Sequence, residues 1–200
     1  VLDLPNNITK FIYDSYAHAT KIIKLPFGTN VKFKNTISLG LVARKINVKK
    51  EEIRNNLGMK KKQKLVLLSI GNLATKLLID NSQNMKVIDL SDYEKIQKQK
   101  NLDLTEGQNL INAADLVICK CGYGFISECL AFGTNFNYLL DRTHKEAFQI
   151  HKGLIDKGLN NEIKIKQIQQ ILKGDFFPNN HTLKLQNKTK HISKFILDLK

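Results

Sequence analysis

The chain has 200 residues, 42% of them hydrophobic, enough to bury one full core and part of a second. It carries a formal net charge of +14, yet only Arg44, Arg54 and Arg142 among its cations are arginine, so scattered lysines replace the arginine forks and interleaved aromatics of specific nucleic-acid recognition. No run of about eighteen apolar residues and no leader-like pattern occurs, which points to a protein soluble or peripheral to a membrane.

Two readings of the lysine excess stand side by side, a compositional bias carried on solvated faces and attraction to an anionic membrane surface. Along the chain, Phe11, Ile12, Tyr16 and Ala19 recur at helical spacing, which predicts a helix over about 9–19. KIIKLPF (21–27) reads as a short strand stopped by Pro26 and Gly28, a polar stretch runs to about Ser38, and LGLVARK (39–45) reads as a second extended segment. These residues hold too few apolar positions for a core of their own, so 1–45 reads as the end of a preceding domain plus a connector, and 46–200 as a fresh domain.

KKEEIRNNLG predicts a charged helix ending at Gly58, where a left-handed C-terminal cap suits glycine. KLVLLSIGN (64–72) is a near-continuous apolar run, as expected of a parallel strand buried on both faces. A helix follows from Leu73 to Ile79, then strands MKVIDL (85–90) and, more weakly, NLDL (101–104). EGQNLINAA predicts a helix, DLVIC (115–119) a strand, FISECLAFG a helix and NFNYLLD (135–141) a strand. Three helices follow, near 145–157, 163–173 and 186–198. In the last of them Ile192, Phe195, Ile196 and Leu199 form a stripe, expected to cross back toward Phe11, Ile12 or Tyr16. Alternation of buried strands and helices predicts an α/β, Rossmann-like open parallel sheet with helices on both faces. Cys119, Cys121 and Cys129 have no metal-ligand or redox spacing and read as reduced core residues of a cytoplasmic protein.

Ligands of such sheets sit beyond the carboxyl ends of the strands. Three loops fall there. In Ser69-Ile70-Gly71-Asn72 the glycine lets backbone approach a ligand, although a tight strand-to-helix turn without a ligand fits equally. In CKCGYGFISE, Gly122 and Gly124 flank Tyr123 where a helix begins, directing amides of residues 124–126 at a diphosphate. The pattern is GxGxxS, with Ser127 as its last position, and comes too late in the domain for a dinucleotide fingerprint. Glu128, one turn beyond Gly124, is placed to accept the vicinal hydroxyls of a ribose, or merely to complement the helix dipole. The third loop, DRTHKEAFQI (141–150), offers Arg142, His144, Glu146 and Gln149; Arg142 and Glu146, four apart, also fit a simple surface pair. The other histidines show no metal spacing, and neither a DxD carboxylate pair nor a P-loop occurs.

The run AADLVICKCGYGFISECLAFGTNFNYLLDRTHKEAFQIHKGLIDKGL (113–159) resembles the C-terminal, donor-binding domain of GT-B glycosyltransferases related to the lipid-linked N-acetylglucosaminyltransferase of peptidoglycan synthesis, and related glycosyltransferase-like domains. The resemblance implies that Gly122, Tyr123, Gly124 and Phe125 line the diphosphate, Glu128 holds the ribose, Glu146 and Gln149 face the donor sugar, and Gly71 and Asn72 form the first glycine loop. Many relatives carry a hydroxyl where this chain has Phe125, so only the amide is left there. It further implies a UDP-sugar donor, metal-independent transfer without a cofactor, and an acceptor site with its catalytic base on an N-terminal domain or partner subunit. A non-catalytic nucleotide-sugar sensor on the same fold is the alternative.

Overall fold

The computed structural model describes residues 5–27, 33–71, 77, 84–90, 107–178 and 183–199. The helix expected over 73–79, apart from Leu77, and the strand expected over 101–104 lie outside them, as does Asn72. The described residues form an α/β protein whose four-stranded parallel sheet is flanked by helices, a Rossmann-like arrangement.

The sheet follows from its apolar runs. Strands β3 (Lys64–Ser69), β4 (Met85–Asp89), β5 (Leu116–Lys120) and β6 (Phe136–Leu139) lie in the order β4-β3-β5-β6, all parallel. Successive side chains of a strand point to opposite faces, so a fully apolar strand must feed two cores. Leu65 and Leu67 of β3, with Val117 and Cys119 of β5, enter one cluster. Helices α2 (Lys50–Asn56), α3 (Gly107–Ala113), α4 (Tyr123–Phe132) and α5 (Lys145–Ile155) cover it through Ile53, Leu110, Leu130 and Ile150. Val66, Leu68, Leu116 and Ile118 enter a second cluster, covered by Ile168, Ile171 and Leu172 of α6 (Ile165–Lys173). Helices thus lie on both faces, as expected.

Glycine ends helices where the sequence places it. Gly58 follows α2 with φ 64°, and Gly133 and Gly174 close α4 and α6 in the left-handed conformation. The three cysteines are buried and form no disulfide.

The N-terminal part departs from expectation at two places. Helix α1 (Asn6–Ala17) and strand β1 (Ile22–Lys24) form as expected, but β1 pairs in parallel with β2 (Thr36–Ser38), inside the stretch read as polar loop. LGLVARK is no strand; only Leu41 makes a bridge, to Asn187. The reason is that side chains satisfy the backbone of this connector. The Ala43 amide donates to Asn187 Oδ1 and Thr189 Oγ1, and its carbonyl accepts from both side chains. Gln108 donates to the Lys45 carbonyl, and Asn109 accepts from the amides of Asn47 and Val48. With Leu41 and Ala43 buried in the first cluster, the connector belongs to the main core.

The last helix, α7 (Thr189–Leu197), begins on that connector, because Lys188 N donates to the Leu41 carbonyl. No residue of α1 is buried and Phe11 is 72% exposed, so the connector, not an interface with Phe11, holds α7. Tyr13 and Tyr16 instead meet the ring of Phe33, at 4.9 and 6.0 Å between centroids.

Candidate functional site

Parallel strands bring their carboxyl ends to one edge. Ser69 pairs with Cys119 and Cys119 with Tyr138, so the residues after β3, β5 and β6 stand side by side there. Gly71 turns the chain after β3 with φ 61°, a conformation that requires glycine at little cost. Gly122, extended, is the N-cap of α4 and has no side chain to bond the first amides. The first intrahelical bond runs from Ile126 N to the Gly122 carbonyl, so the amides left without a helical acceptor are those of residues 123–125 and not the expected 124–126. A Cβ placed on Gly124 would meet nothing within 4 Å, so the approach to this turn is open.

A cavity of about 610 Å³ lies beside these ends, lined by Lys120, Cys121, Leu139, Leu140, Asp141, His144, Ala147 and Ile165. The His144 ring caps α5, its Nδ1 accepting from Ala147 N at 3.4 Å. Asp141 accepts from the hydroxyl and the amide of Thr143, which hold its carboxyl below the usual range. Burial pushes the Cys121 thiol, which donates to the Ala147 carbonyl, up to about 12.

Of the expected site residues, Gly71, Gly122, Tyr123, Gly124, Phe125 and His144 gather around this edge. Tyr123 also reaches back to the connector, its hydroxyl accepting from Val42 N at 3.3 Å; burial raises its pKa, partly offset by that bond. Phe125 packs half-buried against the first cluster. The Ser127 hydroxyl, buried, donates to the Gly124 carbonyl within the helix. Glu146 and Gln149 are exposed on α5. Arg142 does not pair with Glu146, four residues on. It pairs with Glu162, at 2.9 and 3.0 Å, because β6 and the segment after α5 run alongside each other through the Tyr138–Glu162 bridge.

Glu128 is 4% exposed, and its carboxylate accepts both forks of Arg44, Nε at 2.6 Å and Nη2 at 3.1 Å. It is not among the residues lining the cavity. Arg44 and Lys120 are two residues that sequence reasoning did not single out. Arg44 sits 84 positions from its partner, and nothing local announces such a pair. Lys120 had a signal, as a lone cation closing an apolar strand just before a glycine-rich helix start.

Among the described residues no group of three or more His, Cys, Asp or Glu is arranged to hold a metal ion, and no helix is long and apolar enough to cross a membrane. Compared with models of known protein families and with curated proteins, the chain matches none.

Proposed function

We propose that this chain binds a nucleoside-diphosphate sugar, a UDP-sugar in the first instance, at the carboxyl edge of its sheet, as the donor-binding part of a GT-B-type glycosyltransferase. The observation that carries the reading is the conjunction at that edge. The Gly71 turn and the open, glycine-capped start of α4 follow neighbouring strands, and a buried carboxylate, Glu128, lies one turn into α4.

In this reading the unpaired amides of residues 123–125 receive the diphosphate, aided by the helix dipole. Glu128 accepts the ribose hydroxyls, exchanging the Arg44 fork for them. His144, Glu146 and Gln149 face the sugar from the start of α5, and Arg142 steadies that loop through Glu162. Fixed amides stabilise the departing diphosphate without a metal, and the acceptor and its base come from another domain or subunit.

Calorimetry with UDP, GDP, TDP, their sugars, NAD and free phosphate tests the reading. UDP or a UDP-sugar should bind, and NAD and phosphate should not. Preferential NAD binding, or no response to any nucleoside diphosphate, would sink it.

A further inference from the structure

The arginines of the domain are committed to carboxylates: Arg44 to Glu128, Arg54 to Asp115 and Arg142 to Glu162. Lys120 is placed differently. It is the last residue of β5, exposed where the four before it are buried. Its Nζ and Cε lie 3.3 and 3.6 Å from the point a Cβ on Gly71 would occupy, so the side chain runs across the Gly71 turn, and it lines the cavity of about 610 Å³. Among the described residues no hydrogen bond or ion pair engages its ammonium. Asp141, the acid on the same cavity, is held by Thr143.

We propose that Lys120 is the charge-bearing residue for the phosphates of the ligand, an inference that rests on the nucleotide-sugar reading of this edge and names the group that selects a diphosphate there. An ammonium is a compact donor well suited to phosphate oxygens. From the turn it commands both the Gly71 loop and the start of α4, whose N-cap is two residues further on. The missing Cβ at Gly71 then has two causes, the left-handed backbone and the passage of the lysine stem.

The test is calorimetry of the wild type, Lys120→Met and Lys120→Arg with UDP and with inorganic pyrophosphate, each variant checked for an unchanged denaturation midpoint. Lys120→Met should bind both ligands roughly ten- to hundredfold more weakly, and Lys120→Arg should recover most of that loss. If Lys120→Met binds UDP and pyrophosphate as the wild type does, the lysine assignment is overturned while the nucleotide reading stands. If the wild type binds pyrophosphate but not UDP, and Lys120→Met loses pyrophosphate, the lysine assignment stands and the nucleotide reading falls. Binding of neither ligand by the wild type overturns both.

Discussion

Arg44 and Glu128 form a two-pronged ion pair that ties the connector to the second turn of α4, with the glutamate side chain 5% exposed and the arginine side chain 57% exposed. The pair puts the candidate ribose acid and the connector into one equilibrium. A ligand that takes the carboxylate must release the guanidinium, and the arginine is the more exposed of the two partners.

Arg44→Ala should therefore tighten UDP binding severalfold while lowering stability by about 1–2 kcal/mol, since a buried carboxylate loses its donors. Glu128→Ala should weaken UDP binding by about 1.5–3 kcal/mol. Calorimetry paired with urea denaturation reads both. Equal weakening by the two variants would show that the guanidinium helps the ligand instead of competing with it.

A second ion pair concerns stability alone. Asp115 accepts from the Leu65 amide at 2.8 Å and from Arg54 Nη1 at 2.9 Å, and Arg54 also donates to the Ala113 and Gln63 carbonyls. Burial raises the Asp115 pKa, but these donors outweigh it and hold the carboxyl below its ordinary 3.8. A depressed carboxylate contributes its stability in full above the unfolded value and loses it as the pH falls through the folded one. The stability difference between wild type and Asp115→Asn should accordingly be constant at neutral pH and shrink only below about pH 4. Asp115→Ala, which strands Arg54 and the Leu65 amide, should cost about 2–3 kcal/mol at pH 7, read as a fall in denaturation midpoint at constant slope.

The cysteines should be inert in the folded state. All three are buried, and at pH 8 a thiol such as Cys121, pushed up to about 12, is thiolate in roughly one molecule in ten thousand. Native protein should resist iodoacetamide for hours, and three thiols should react once it is unfolded in guanidinium. Fast labelling of Cys121 in the native state would contradict its burial beneath the cavity surface, where it is only 6% exposed.

Gly153 lies on α5 where a Cβ would stand 2.7 Å from Phe27 Cδ1 and 3.4 Å from Phe27 Cα. Replacing a helical glycine by alanine ordinarily stabilises by about 0.8–1 kcal/mol, whereas forcing a methyl into occupied space costs about 1–3 kcal/mol. Phe27 already holds φ 63°, rare for a bulky residue, so it has little freedom to yield. Gly153→Ala should destabilise the wild type but stabilise Phe27→Ala, a sign reversal that a double-mutant cycle detects.

Much of the architecture was legible because it is written in local pattern. A six-residue strand such as β3, apolar at four consecutive positions, has only one comfortable place, the middle of a parallel sheet covered on both sides. Glycines at 58, 133 and 174 mark helix ends because their conformation is intrinsic. The glycine-rich start of α4 was legible for the same reason. LGLVARK has the apolar pattern of a strand, yet its hydrogen-bond partners, Asn187, Thr189 and Gln108, lie far along the chain.

By itself the sequence determined the four strands of the main sheet and the helices that flank it among the described residues, which of their positions are apolar enough to be inside, and where glycine relieves the backbone, since each depends on neighbours a few residues away. Only the tertiary structure decided that Glu128 meets Arg44, that Arg142 meets Glu162 in place of Glu146, and that Lys120 lies across Gly71. Those choices join residues 20 to 84 positions apart. A charge on one element has no local means of choosing among many opposite charges until sheet order and register bring one of them within reach.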